Sequence, residues 1–384
     1  MTICRFLTEV SGRLAASATL YTDPSDPKFR EANRRWSDIG VKTPGAILQV
    51  AVEDDAVTAV RAAHTTHTPF VPVCGGHSAW SNIGSDGFVL DFSTLKCIEI
   101  DDRTHEVRVA GGVLMKELST ALSNAGRCTA LGNGNPVGVI PYCLGGGISV
   151  ATGLMGFGCD NILSAKVILA DGQVVHTDVT SHPDLFWGLK GAGQHLGLVL
   201  EIKLKTYPLS IYGSPDGRHW IGNFIYPLEK AAEVCKAMES LMSDTENLTA
   251  GHLMVMAPPP AFNPMIMVAP HYFGDIRDAP QTFQPLQDLG PVLSSEKTPL
   301  VPNLSDHLDK PCEKGDFKSF NLAGLQDFRT DNFLEVIETF KELLQSCPDA
   351  GASAYIVEWH SRAADIPKPA LDSAWSHHDV YIWA

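Results

Sequence analysis

The residues that bear most directly on chemistry are Cys74-Gly75-Gly76-His77-Ser78, which follow the apolar run Phe70 to Val73. Two glycines where a buried strand stops let the backbone turn several N–H groups toward one point, and such a nest binds diphosphate oxygens without Lys or Arg. The imidazole that comes next could reach the ring end of the same ligand. Taken alone, the triplet also reads as a tight turn with a histidine hydrogen-bonded in the core, because glycine marks turns of many kinds. A second candidate is Glu358, in the run Tyr355-Ile356-Val357-Glu358-Trp359-His360. A carboxylate at the mouth of an apolar pocket can hold a raised pKa and act as a base. The alternative is an exposed strand carboxylate, the usual condition of Asp and Glu.

Two other arrangements fall short of a site. Gly191-Ala192-Gly193-Gln194-His195-Leu196-Gly197 is a loose dinucleotide fingerprint, but the residues before it read as turn or helix and those after it as strand. A Rossmann loop needs the reverse order. His64 and His67 have helix-compatible spacing, yet no carboxylate or cysteine completes a zinc set, so no metal is expected.

The elements that must position these groups are legible from periodicity. Strands are expected at Ile47 to Val52, Phe70 to Val73, Gly87 to Phe92, Cys97 to Ile100 and Glu106 to Ala110, with helices at Asp54 to His64 and Met115 to Ala125. Asn161 to Leu169 and Val174 to Thr177 form a hairpin about Asp171-Gly172, and Leu196 to Thr206 closes the first lobe as a strand. Strands and helices do not alternate strictly, so the fold class is α+β. Beyond Pro208 come amphipathic helices near Leu228 to Met242 and Asn332 to Ser346. Strands follow at His252 to Met256, Met265 to Ala269, Ser353 to Trp359 and Val380 to Trp383. Helices on one face of an antiparallel sheet satisfy this pattern. The segments Pro258 to Pro264 and Ala279 to Pro302 read as loops, and the N-terminal arm as irregular.

Composition narrows the function classes. At 384 residues the chain fits two lobes and can bury a large cofactor. Its net charge of -15, without a Lys/Arg patch, argues against a nucleic-acid partner. The nine cysteines are scattered singly and read as mostly reduced and buried. Arg5, Glu9 and Arg13 interrupt the apolar N-terminus, so a cytoplasmic location is expected. Cys128 to Cys159 contains no charged residue, but its nine glycines and two prolines make a poor helix, so no membrane span is expected. Oligomeric state is not legible.

The order of motifs resembles the berberine bridge enzyme-like branch of the vanillyl-alcohol oxidase flavoprotein superfamily. The resemblance runs from Thr43-Pro44 to about Pro208. It takes in Gly75-Gly76-His77-Ser78, Val89-Leu90-Asp91-Phe92-Ser93-Thr94-Leu95, Val109-Ala110-Gly111-Gly112, Val137-Gly138-Val139 and Leu144-Gly145-Gly146-Gly147. Asp160-Asn161-Ile162-Leu163, Ala170-Asp171-Gly172, Asp184-Leu185-Phe186-Trp187-Gly188-Leu189-Lys190-Gly191 and Gly197-Leu198-Val199 continue it.

The resemblance implies an N-terminal arm over 1–40, a PCMH-type two-part FAD-binding lobe over 41–208 and a substrate lobe over 209–384. It implies FAD bonded covalently to His77, with Val73, Cys74, Gly75, Gly76, His77 and Ser78 wrapping the diphosphate. Gly134, Asn135, Val137, Gly138, Gly145 and Val199 would line the rest of the cofactor path. Many relatives carry a second flavin-linking cysteine where this chain has Gly134, so a single link is expected. Ala374-Trp375-Ser376-His377-His378 is similar to a family segment beside the substrate pocket, which makes His377 a candidate catalytic residue, with an insertion between Glu358 and Ala374. Relatives continue past the position of Ala384 with a helical segment carrying a Tyr-x-Asn motif, so the expectation is a substrate lobe without it.

The implied activity is oxidation of a small organic molecule, placed in secondary metabolism by analogy, through hydride transfer to flavin N5 and return of the electrons to oxygen. Trp220, Phe224, Met254, Met256 and Trp359 would give an aromatic-rich pocket if their strands face the flavin. The competing reading keeps the fold without redox turnover, as a flavin-binding scaffold or a cyclisation catalyst.

Overall fold

Ala46–Gln49, Phe88–Asp91 and Phe70–Val73 lie side by side in parallel register, and Thr19–Tyr21 adds an antiparallel edge. The computed structural model describes residues 2–243, 248–360 and 372–384. Parallel strands need a crossover, and the helix Glu53–Thr66 carries the chain from Ala46–Gln49 to Phe70–Val73 on the far side of Phe88–Asp91. Its stripe of Ala56, Val57, Ala59, Val60 and Ala63 is buried in the same cluster as Leu48, Phe88 and Leu90. Glu53, Asp54 and Asp55 crowd the first turn, where carboxylates meet the positive end of the helix dipole. Asp55 also accepts from the backbone N–H of Ala51 and Val52. The helix stops at His67, which takes a left-handed φ of 53°.

A five-stranded antiparallel sheet completes the first lobe, in the order Ile98–Asp101, Glu106–Ala110, Leu198–Lys205, Ile162–Ile168, Val174–Thr177. Leu198–Lys205 alternates Leu200, Ile202 and Leu204 inward with Glu201, Lys203 and Lys205 more exposed, as a one-sided strand should. The helices Met115–Asn124, Val139–Leu144 and Pro183–Ala192 cover this sheet. Pro183–Ala192 precedes the glycine-rich turn and Leu198–Lys205 follows it, which excludes a Rossmann loop there.

The second lobe is a seven-stranded antiparallel sheet ordered Leu293–Lys297, Trp220–Pro227, Met265–Tyr272, Thr249–Met256, Ala354–Trp359, Ile382–Trp383, Gly324–Leu325. One face packs Trp220, Phe224, Tyr226, Leu253, Val255, Ile266, Val268, Val357 and Trp359 against the helices Ala231–Ser243 and Thr330–Ser346. Each large side chain fully buried there contributes about 1.5–3 kcal/mol relative to exposure. The other face carries His252, Met254, Met267, Ala269, His271, Ile356 and Glu358 in register and turns toward the first lobe.

Three expectations change. The N-terminal arm is structured: Thr2–Val10 is a helix whose Phe6 and Val10 are buried beside Phe88, followed by Thr19–Tyr21 and the helix Pro27–Ala32. Its charges lie on one amphipathic face, a pattern that nine residues hardly display to a reader of sequence. The span Ala279 to Pro302 is not all loop, because it holds Ala279–Thr282, Gln284–Asp288 and the edge strand Leu293–Lys297. That strand, with every residue exposed, lacks the apolar alternation that reveals strands. All nine cysteines are free, but only Cys128, Cys143, Cys159 and Cys235 are buried. The insertion expected before Ala374 falls largely on 361–371, outside the described residues. Among the described residues no helix is long and apolar enough to cross a membrane.

Candidate functional site

The nest forms where Phe70–Val73 ends, with Val73 buried and its carbonyl accepting from Phe92 N–H. Gly76 has φ of +76°, and a side chain on Gly75 would lie 2.1 Å from the carbonyl oxygen of Pro136. Both positions therefore require glycine: one for its backbone angle, the other because two main chains touch. Burial pushes the Cys74 thiol up to about 12, so it stays protonated and serves as packing beneath Gly138. Ser78 Oγ accepts from Trp80 N–H.

His77 follows this bend beside Trp36, ring centroids 6.2 Å apart. Burial, reinforced by the positive charges of Lys314 and Lys318, lowers its imidazole to about 4. The ring is therefore neutral at physiological pH, and its Nε2 is enclosed without a hydrogen-bond partner among the described residues. A buried polar atom without a partner is costly and is rare in folded proteins.

The loop Gly134 to Gly138 lies against the nest. Asn135 and Val137 carbonyls accept from Lys116 and Met115 N–H, which fixes the loop to the start of Met115–Asn124. Asn135 Nδ2 donates to Asp306 at 3.0 Å and to Asp309 at 2.7 Å, both from the second lobe. The same crossing segment reaches the N-terminal arm: Trp36 Nε1 donates to Pro311 O at 2.8 Å and Arg34 to Lys314 O at 2.7 Å. Cys312 Sγ lies 3.4 Å from where a side chain on Gly134 would begin. Gly145 faces Gln194, and Val199 is buried in the core of the first lobe.

A pocket lies between the lobes beside this loop. Leu131, Gly132, Asn133, Asn135, Val150 and Ala151 line one side, and His252, His271, Val301, Leu304 and His307 the other. Among the described residues its wall carries no Lys, Arg, Asp or Glu.

Glu358 stands just behind that wall. His252 is its direct cross-strand partner, with Nε2 3.6 Å from Oε2, and His360 Nε2 is 3.7 Å from Oε1. Burial alone raises the carboxyl, but hydrogen bonding and charge from His252, helped by His360 and Asn133, outweigh it and hold Glu358 below its ordinary value. The raised pKa expected from sequence is thus corrected, because the surroundings are imidazoles rather than hydrocarbon.

The aromatic pocket is corrected as well. Trp220, Phe224 and Trp359 point to the helix-covered face, since strand side chains alternate and these residues have the wrong parity. Met254 and Met256 do lie on the inter-lobe face. His377 is exposed, its ring edge-on to Trp375 and Trp383, and it does not line the cleft. Its neighbour His378 instead contacts Asp160 at 2.8 Å and ties the segment to the first lobe. His252, His271 and His307 are cleft residues that sequence reasoning missed. Only the pairing of His252 with Glu358 reveals them, and pairing is not a local signal.

Residues 44–178 match the family described as FAD binding domain. The FAD-linked oxidoreductase hasG of Aspergillus fumigatus is 30% identical over 347 residues, covering 88% of this chain and 72% of that protein. The chain belongs to the FAD-linked oxidoreductases. Two solved structures share the fold of this FAD-linked oxidoreductase along its whole length. Xylooligosaccharide oxidase from Myceliophthora thermophila aligns with a TM-score of 0.78 at 19% identity, covering 81% of that chain. Physcomitrella patens BBE-like 1 gives 0.80 at 16%, covering 82%. The expected PCMH-type, berberine bridge enzyme-like architecture is therefore present.

The residues of this FAD-linked oxidoreductase fit its cofactor. The enclosed Nε2 of His77, without a partner among the described residues, has a reason to exist if a bound ring meets it, and at the Gly75-Gly76 bend the absence of side chains lets the Pro136 main chain and the Lys314 side chain approach closely.

Proposed function

We propose that this oxidoreductase holds FAD covalently through His77 and oxidises a small organic substrate of secondary metabolism in the inter-lobe cleft, with oxygen taking the electrons. FAD, when bound, supplies the hydride acceptor. Val73 to Ser78 would hold the diphosphate, and the loop Gly134 to Gly138 the path from the nest to the cleft, with Gly145 and Val199 supporting it from behind. The observation that carries this reading is His77: a neutral imidazole whose Nε2 is buried and without a partner among the described residues could bond a ring methyl carbon, a methyl C–H breaking as the flavin takes up the electron pair, which oxygen then removes.

The remaining work falls to the residues around the cleft. Val150, Ala151, Val301 and Leu304 give it apolar surface, Asn133 and three imidazoles orient a polar substrate group, and Glu358 with His252 holds a proton site against the wall. The relative's name, FAD-linked oxidoreductase, agrees with this chemistry, and the bound xylobiose of the structural neighbour agrees with a small organic substrate there.

Intact-mass measurement and acid precipitation test the reading. The expected result is a flavin adduct, with yellow colour that stays in the acid pellet, and its disappearance in His77→Ala. An adduct that survives His77→Ala, or a wild-type chain that never acquires flavin, overturns it.

A further inference from the structure

We propose that His252, rather than Glu358, takes the proton from the substrate, that Glu358 is its positioning carboxylate, and that the substrate is an uncharged molecule bearing a hydroxyl group. This rests on the flavin-dependent oxidation proposed above.

Position decides between the two groups. His252 lines the cleft; Glu358 does not, and its Oε1 is fully enclosed. Thr249–Met256 and Ala354–Trp359 place the two side chains opposite each other on one face of the sheet, with His252 Nε2 toward Glu358 Oε2 at 3.6 Å. An imidazole with one nitrogen toward a carboxylate presents the other outward in a fixed tautomer, which is the division of labour in a base backed by an acid. His271 from Met265–Tyr272 faces His252 edge-on at 6.4 Å between centroids, and His307 and His360 are the other titratable neighbours. His271, His307 and His360 are each held below the ordinary imidazole value by burial, and of these four imidazoles only His252 both lines the cleft and faces Glu358.

The wall also selects the substrate class. Among the described residues the lining carries no charged side chain, so on these walls a carboxylate, phosphate or ammonium would meet no counter-ion, at a large desolvation cost. Neutral imidazoles and the Asn133 amide both donate and accept, which matches a hydroxyl. In the step, the substrate O–H bond breaks and its proton goes to the outward nitrogen of His252. The hydrogen on the carbinol carbon leaves with its electron pair to FAD, so the alcohol becomes a carbonyl compound and FAD is reduced.

The test uses flavin-loaded enzyme, mixed without oxygen with 4-methoxybenzyl alcohol, xylobiose, 4-methoxybenzylamine and 4-methoxybenzoate, while flavin bleaching is followed across pH. Flavin content and melting temperature are measured first, so that a chain lacking flavin counts against the parent reading and not against His252. A neutral alcohol should bleach the flavin, and His252→Ala and His252→Gln should slow this about 10²–10⁴-fold and remove the acid limb of the pH profile. Glu358→Gln should keep that limb but move it. Wild-type rates in both His252 variants overturn the assignment, as does an intact acid limb. Bleaching by the amine alone, or by none of the alcohols, overturns the substrate class.

Discussion

His219 Nε2 and His271 Nδ1 meet at 2.9 Å inside the second lobe, with their rings stacked and both side chains buried. Burial lowers His219 to about 3 and His271 well below its ordinary value. In the unfolded chain both imidazoles protonate as pH falls through about 6.5, whereas in the folded chain they stay neutral. The unfolded state therefore binds more protons, and stability falls as pH drops from about 6.5 toward 3, by about 1.4 kcal/mol per unit for each histidine. Urea midpoints between pH 7 and pH 5 should show this slope, and His219→Phe should reduce it by about one proton. A midpoint independent of pH over that range contradicts the buried neutral pair.

Gly75→Ala brings a methyl group into the Pro136 carbonyl, 2.1 Å away. Main chain cannot rotate aside as a side chain can, so the nest and the loop Gly134 to Gly138 must separate. The expected cost is about 1–3 kcal/mol, with a lower flavin content per chain. Absorbance of the purified variant and its melting temperature read both effects, and wild-type loading would show that the two loops are free to part.

Asn135→Asp replaces two donated hydrogen bonds with repulsion from Asp306 and Asp309. Lys116, 2.6 Å from Asp306, offsets part of it. These groups are partly exposed, so the loss should be about 1 kcal/mol or less. Faster proteolytic cleavage within 306–318 is the expected sign, and an unchanged digestion pattern speaks against the contact.

Much of the first lobe was legible because its signals are local. The nest, the Asp171-Gly172 hairpin and the strand after Gly197 each announce themselves within ten residues. The second lobe was harder. Its strands were found in part, but which face Trp220 or Trp359 takes depends on what packs behind the sheet, and helix Thr330–Ser346 comes from a distant part of the chain. Glu358 was found as a lone carboxylate in a strand, and its sign of shift was misjudged because His252 lies about a hundred residues away in sequence yet directly across in the sheet. His377 was chosen from a segment likeness, while the structure gives its neighbour His378 the contact with Asp160.

The stretch 306–318 crosses the glycine bend after the chain has built most of both lobes: Lys314 sits beside Gly76, Gly315 N–H donates to Arg35, and Asp38 N–H to Asp316. During synthesis at the usual 5–20 residues per second, His77 emerges about 12–50 s before that stretch does. The bend that carries His77 is thus covered by main chain made well after it, so its surroundings are completed only late in synthesis.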